Sequence, residues 1–183
     1  MILKEIQKIL EKDEFDCSFF PADENAPLDR LLIFLGLDDR KRERLLEIMA
    51  AEQQIPPEFI LSPARHPPYR IQFRIQLPFK VQDASLNQVA SLLLFLDQFI
   101  DLPGFELDEL NGQVSYRYVW VITSHAIEES LIMSIMGAIM LNLSLFSETI
   151  ESLADGKMSF NELLSQIVKI ADSARSSQKT PSE

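Results

Sequence analysis

The clearest pattern in the chain begins at Ile71. Phe73, Ile75, Leu77, Phe79 and Val81 alternate with Arg70, Gln72, Arg74, Gln76 and Lys80, and a period of two gives a strand with one dry and one wet face. Pro78 falls on the wet side and has no N–H to give to a ladder, so it predicts a sheet edge or a bulge. A second alternating pair follows. Phe105 and Leu107 lead into Asn111-Gly112, after which Val114, Tyr116, Tyr118, Trp120 and Ile122 alternate again. Asn-Gly between two such runs predicts a hairpin closed by a type I′ turn.

Helical spacing marks the rest. Ile2, Leu3, Ile6, Ile9 and Leu10 predict a short amphipathic first helix. Ser85 stands as N-cap to a helix with apolar positions Leu86, Val89, Leu93, Leu96 and Ile100, widened by Leu92, Leu94, Phe95 and Phe99 and stopped at Pro103-Gly104. So apolar a helix predicts cover on more than one side. Beyond Glu128-Glu129 a long helix runs to about Leu153 and closes near Gly156. Ser159 and Glu162 then form a capping box for a last helix carrying Phe160, Leu163, Leu164, Ile167 and Ile170.

Earlier segments are less regular. Residues 11–29 are acidic and interrupted by Pro21 and Pro27, which predicts irregular chain. Leu31 to Leu37 has the length and apolarity of a buried strand. Arg42 to Gln54 is rich in helix formers yet follows a charged turn, so strand and helix both remain open. Pro56, Pro57, Pro63, Pro67 and Pro68 mark an extended linker, and the polar tail from Ser173 reads as disordered. Residues 1–172 therefore read as a single α+β domain, with 173–183 as tail.

Composition narrows the class. With 183 residues, 46% hydrophobic and 25% charged, the chain can bury a core without disulfides or metals. Its 17 basic and 28 acidic residues leave a net charge of −11, which argues against nucleic acid or an anionic membrane as main partner. The basic run Arg40-Lys41-Arg42 with Arg44 is mixed with acidic residues and reads as a solvated turn. A lone Cys17 permits no internal disulfide, and the N-terminus alternates apolar and charged residues unlike an export signal, so the expected compartment is cytoplasmic.

The stretch Leu92-Leu93-Leu94-Phe95-Leu96-Asp97, then Gly104-Phe105-Glu106-Leu107-Asp108-Glu109, then Asn111-Gly112-Gln113-Val114-Ser115-Tyr116-Arg117-Tyr118, resembles a stretch of the class I type III secretion chaperones and the YbjN-like sensory-transduction regulators. There a leucine-rich helix runs into a Phe-Glu-Leu-Asp strand, a glycine turn and a further strand. The chain is also similar to an uncharacterised cyanobacterial family of this fold. The resemblance covers about residues 28–155. It implies the order α-β-β-β-α-β-β-α on one antiparallel five-stranded sheet, to which the extra C-terminal helix is added, and it assigns residues 31–54 to two strands. The proline-rich linker and the last helix depart from the family pattern.

Candidate chemistry is sparse. His66 and His125 have no second ligand at metal spacing, and neither forms a local signature with Cys17. Asp97, Asp101, Glu106, Asp108 and Glu109 form an acidic cluster that would serve a metal- or ligand-dependent enzyme, but its spacing is not that of a calcium loop and its simpler role is to wet a strand face. The informative segment is Ser130 to Ser147, eighteen residues without a charge. Its serines, its length and its acidic flanks argue for a soluble helix over an integral membrane span. Met133, Met136, Gly137, Met140 and Leu143 are the candidate partner-binding residues, since unbranched methionines suit an adaptable apolar surface; filling core gaps is the competing role. Ser134, Gly137 and Ala138 add a patch of small residues.

The sequence thus predicts a non-enzymatic binding module of chaperone-like type, without cofactor. It would hold an apolar segment of another protein and pair with itself as a homodimer. Peripheral membrane association through the long helix is a further alternative.

Overall fold

The computed structural model describes residues 2–24, 26–53, 68–100, 104–122 and 127–177, with side chains to residue 169. Among them, six strands form one antiparallel sheet, and the elements run α1 (Ile2–Lys12), β1 (Asp16–Phe20), β2 (Arg30–Leu37), β3 (Glu43–Glu52), β4 (Tyr69–Lys80), α2 (Leu86–Leu96), β5 (Phe105–Asp108), β6 (Gln113–Ile122), α3 (Glu129–Ala154) and α4 (Phe160–Ser177). The spatial order is β1-β2-β3-β4-β6-β5. The α+β class and the single antiparallel sheet are as expected; five strands and the eight-element order are not.

The additional strand is β1, in the segment read as irregular. Only Cys17 and Phe19 of its five residues turn toward the core, flanked by acidic residues and Pro21, so its periodic signal is too short to read. It pairs with β2 along its whole length, with Ser18 opposite Leu32 and Phe20 opposite Arg30. Residues 43–52 are a strand despite their helix propensity. Leu46 and Ile48 sit fully buried between β2 and β4, and burial on a pleated surface overrides a weak local preference.

β4 lies in the middle of the sheet, so Pro78 is not at an edge; the pairing with β6 shifts register between Gln76 and Lys80, which is the bulge. The β5–β6 hairpin forms, but not through a two-residue turn. Asp108 pairs with Gln113 across a four-residue loop in which Gly112 alone takes positive φ, at +61°. Asp108 Oδ1 accepts from the N–H groups of Leu110 and Asn111, and Asn111 Nδ2 donates to Asp108 Oδ2 at 2.7 Å. That carboxylate closes the loop and removes the need for φ > 0 at Asn111.

Ser85 does not cap α2 with its side chain. A 3₁₀ turn, Asp83–Ser85, leads into the helix instead, and Ser85 is itself buried. α2 ends at Leu96, earlier than its apolar pattern implies; it is covered on more than one side as expected, by β5, α3 and α4, while Leu94 on its outer side is 70% exposed.

The capping box at Ser159 and Glu162 is formed: Ser159 N donates to Glu162 Oε2 at 2.8 Å and Glu162 N to Ser159 Oγ at 3.2 Å. Helix α4 continues to Ser177, past the expected start of the tail at Ser173, while residues 178–183 and the linker at 54–67 lie outside the described residues.

Among the described helices, α1, α2 and α3 pack on one face of the sheet and α4 rests on α2. α1 packs over β1 to β3, α3 over β4 and β6, and α2 against β5 and α3. Ile6, Leu10, Leu31, Ile33, Phe73, Ile75, Leu92 and Ile132 fill the space between.

Candidate functional site

Helix α3 is the element whose sequence exceeds what the fold requires of it. Its N-terminus has no side-chain cap, but its end is a Schellman closure: Gly156, at φ +68°, donates to Leu153 O at 3.0 Å and Lys157 N to Ser152 O at 2.9 Å. Ile132, Ile135, Met136, Ile139, Leu143 and Ile150 recur at helical spacing and are buried against the sheet.

Two anchors fix which face is inward. Midway, Asn142 Nδ2 donates to Tyr116 Oη at 3.2 Å. Near the C-terminal end, Glu151 is only 6% exposed and receives Arg42 in a bidentate pair, Nη1 to Oε1 at 2.7 Å and Nη2 to Oε2 at 2.8 Å. Arg42 also donates to Asp38 Oδ2 at 2.7 Å and Pro78 O at 3.0 Å, while Arg40 Nη1 reaches Glu151 at 2.7 Å. Desolvation raises the Asp38 pKa, but the hydrogen bonds from Arg42 and Arg40 outweigh it and hold the carboxyl below its ordinary value; the Arg42 guanidinium is pushed up, foremost by its bond to Glu151. The basic run is therefore not simply a solvated turn. It ties the β2–β3 hairpin and the β4 bulge to α3.

With the inner face so pinned, the outer one is left open. Leu131 is 37% exposed, Met140 42%, Leu145 57% and Leu141 58%. Helix α4 does not cover them, since it packs on α2, where Phe160 N donates to Gln88 Oε1 and the Phe160 ring meets Phe95 edge-on at 6.0 Å. Only 28% of the most apolar eighteen residues of α3 are buried. Alongside runs a trough of about 550 Å³, walled by Phe99, Ile100, Leu131, Leu141 and Leu145, with Tyr116, Tyr118 and Asn142 in its lining. The polar side chains on this helix are turned inward on its own backbone: Ser134 Oγ donates to Ser130 O at 2.8 Å and Asn142 Nδ2 to Ala138 O at 2.9 Å. Such a surface presents apolar area with few open donors.

The five candidate residues divide. Met136 and Leu143 are 1% and 2% exposed and belong to the core, because their positions fall on the inner stripe. Met133 is half-buried against that core, Met140 is open, and Gly137 has no heavy atom within 4 Å of where a Cβ would stand. The better-placed residues are Leu131, Ser134, Ala138, Leu141 and Leu145. Their alternating spacing of three and four was the signal in the sequence, obscured because nearly every position in the segment is apolar.

The acidic cluster is dispersed. Arg117 Nε donates to Glu106 at 2.6 Å, Asp108 closes its hairpin loop, and Asp97 is the C-cap of α2. Among the described residues, no group of three or more His, Cys, Asp or Glu side chains is placed to hold a metal ion. Asp101, His66 and His125 lie outside the described residues. Desolvation first, with Glu11 and Asp16 nearby, pushes the Cys17 thiol up to about 11, so at neutral pH it is protonated and a weak nucleophile.

A second apolar area lies on the helix-free face of the sheet, where Phe20, Leu32, Phe34 and Leu45 line a shallow depression of about 330 Å³. Asp16 and Glu43 share it, and a larger hollow of about 640 Å³ adjoins, lined by Glu47, Arg74 and Gln76 together with Leu45, Leu77 and Phe79. Compared with models of known families and with curated proteins, the chain matches none.

Proposed function

We propose that this chain is a non-enzymatic, cytoplasmic protein-binding module of chaperone-like or regulatory type, in keeping with its resemblance to the type III secretion chaperones and YbjN-like regulators. It takes an apolar segment of a protein on the outer face of α3, and it works as a homodimer. One observation carries this reading: an uncharged helix face is held outward by the Glu151 clamp and is covered by nothing among the described residues. Covering Leu141 and Leu145, each more than half exposed, contributes on the order of 1 kcal/mol apiece.

Site-specific photocrosslinking in cells tests it. A photoreactive side chain at position 141 should yield protein adducts, and one at Gln72 on the open sheet face should yield far fewer. Equal yields, or none from 141, would remove the basis of the proposal.

A second reading is favoured by α3, a helix of 26 residues whose most apolar eighteen have a mean hydropathy of 1.8, enough by length and composition to cross a membrane. Ile132, Ile139 and Ile150 are fully buried against the protein, so the reading is one of surface attachment through the outer stripe. Flotation of the purified chain with phosphatidylcholine vesicles separates it from the first.

A further inference from the structure

The outer stripe of α3 is self-complementary in size. Leu131, Ser134, Ala138 and Leu141 are large, small, small and large, a symmetric series about position 136, and Leu145 has its mirror position at Ile127, just ahead of the helix. In an antiparallel pair of helices with that centre, Leu131 of one chain meets Leu141 of the other and Ser134 meets Ala138. Large residues face each other at the flanks, and small residues sit at the crossing, where backbones must approach most closely. Gly137, with open space where a Cβ would be, lies beside that crossing.

Two-fold symmetry requires a patch that matches itself on rotation. Few unrelated partners would need this mirror order. We infer that the occupant of this stripe is a second copy of the chain, docked α3 against α3 in antiparallel fashion about position 136. This rests on the proposal that the outer face of α3 is an interaction surface, and it names the partner.

Charge points the same way. A chain of net charge −11 meets its copy with no direct contact of like charges through an uncharged surface, and Ser130 to Ser147 is a long uncharged stretch. In this register Glu128 and Glu129 fall at the level of Ser144 and Leu143 along the second copy's helix, so no carboxylate of the flanks is set at the level of another carboxylate. The trough beside the stripe, with Phe99 66% exposed on its wall, extends the contact beyond the two helices.

The register is tested in the full chain carrying Cys17→Ser. Chains with Leu131→Cys and chains with Leu141→Cys are oxidised separately and mixed. Mixing should give a disulfide between position 131 of one chain and 141 of another, identified by mass spectrometry, at severalfold the yield of either alone. Leu131→Cys chains that cross-link to one another as readily would overturn the antiparallel register. Sedimentation of the unaltered chain should show a dimer, and Ala138→Lys, on the exposed face, should weaken it at least tenfold with an unchanged far-ultraviolet circular dichroism spectrum. A wild-type chain that stays monomeric at hundreds of micromolar would overturn the pairing; protein adducts from position 141 would in that case still support α3 as a surface for another partner.

Discussion

Removing the guanidinium of Arg42 should cost the fold far more than a surface charge normally does. In Arg42→Ala, Glu151, 6% exposed in the intact chain, keeps Arg40 as its remaining cation, and Arg40 is 48% exposed along its side chain. Asp38 loses its ion pair and Pro78 O its donor. Breaking a well-buried pair costs about 3–5 kcal/mol. Arg42 is itself 29% exposed and Arg40 still compensates part of the charge, so the expected loss is about 2–4 kcal/mol. For a domain of this size a loss near 3 kcal/mol lowers Tm by roughly 6–12 °C. Urea unfolding followed by the fluorescence of Trp120, the one tryptophan of the chain, provides the measurement. Pairing Arg42→Met with Glu151→Leu should recover part of the loss, since it removes the buried Glu151 charge and leaves only Asp38 without its guanidinium. A cost for Arg42→Ala below about 1 kcal/mol, or single and double substitutions that simply add, would refute the clamp.

Three further outcomes are expected. Gly112→Ala forces a Cβ to 2.7 Å from Val81 O at a φ of +61°, and should destabilise by about 2 kcal/mol in the same urea assay; a change under about 0.5 would mean the loop relaxes freely. Cys17 should react slowly with iodoacetamide at neutral pH, its rate rising with pH toward about 11; a midpoint near that of a free thiol would contradict its burial beside Glu11 and Asp16. Asp38 and Asp155 are both held below the ordinary 3.8. Groups depressed in the folded state stabilise it fully above that value and lose the contribution as pH falls through the folded one, so unfolding free energy should be flat near neutrality and decline below about pH 4. A rise in stability on acidification through that range would be the wrong sign.

The sheet was legible where one face is dry and the other wet. β4 and β6 announced themselves by alternation, and the Ser159–Glu162 box by chemistry that needs three residues only. β1 escaped because an edge strand with two inward side chains carries almost no periodicity. β3 was ambiguous because its residues favour helix locally and only Leu46 and Ile48, buried between two neighbours, decide the matter. The Asn111-Gly112 pair pointed correctly to a hairpin, yet the turn type was set by Asp108 on the preceding strand. Whether Met136 and Leu143 face a partner or the core is open in the sequence, because in a segment with eighteen uncharged residues the phase of the helix is hidden; in the structure both are buried. What fixes that phase is Arg42, more than a hundred positions away in sequence from Glu151.

The outer face of α3, which none of the described residues covers, is proposed to be covered between molecules, and hydroxyl-radical footprinting over a dilution series tests that most directly. Leu141 and Leu145 should be protected at high concentration and become reactive on dilution, while Phe34 and Leu45 on the open sheet face react equally throughout. Protection of Leu141 and Leu145 that persists in the dilute monomer would contradict the account, because the chain would then be covering this face itself.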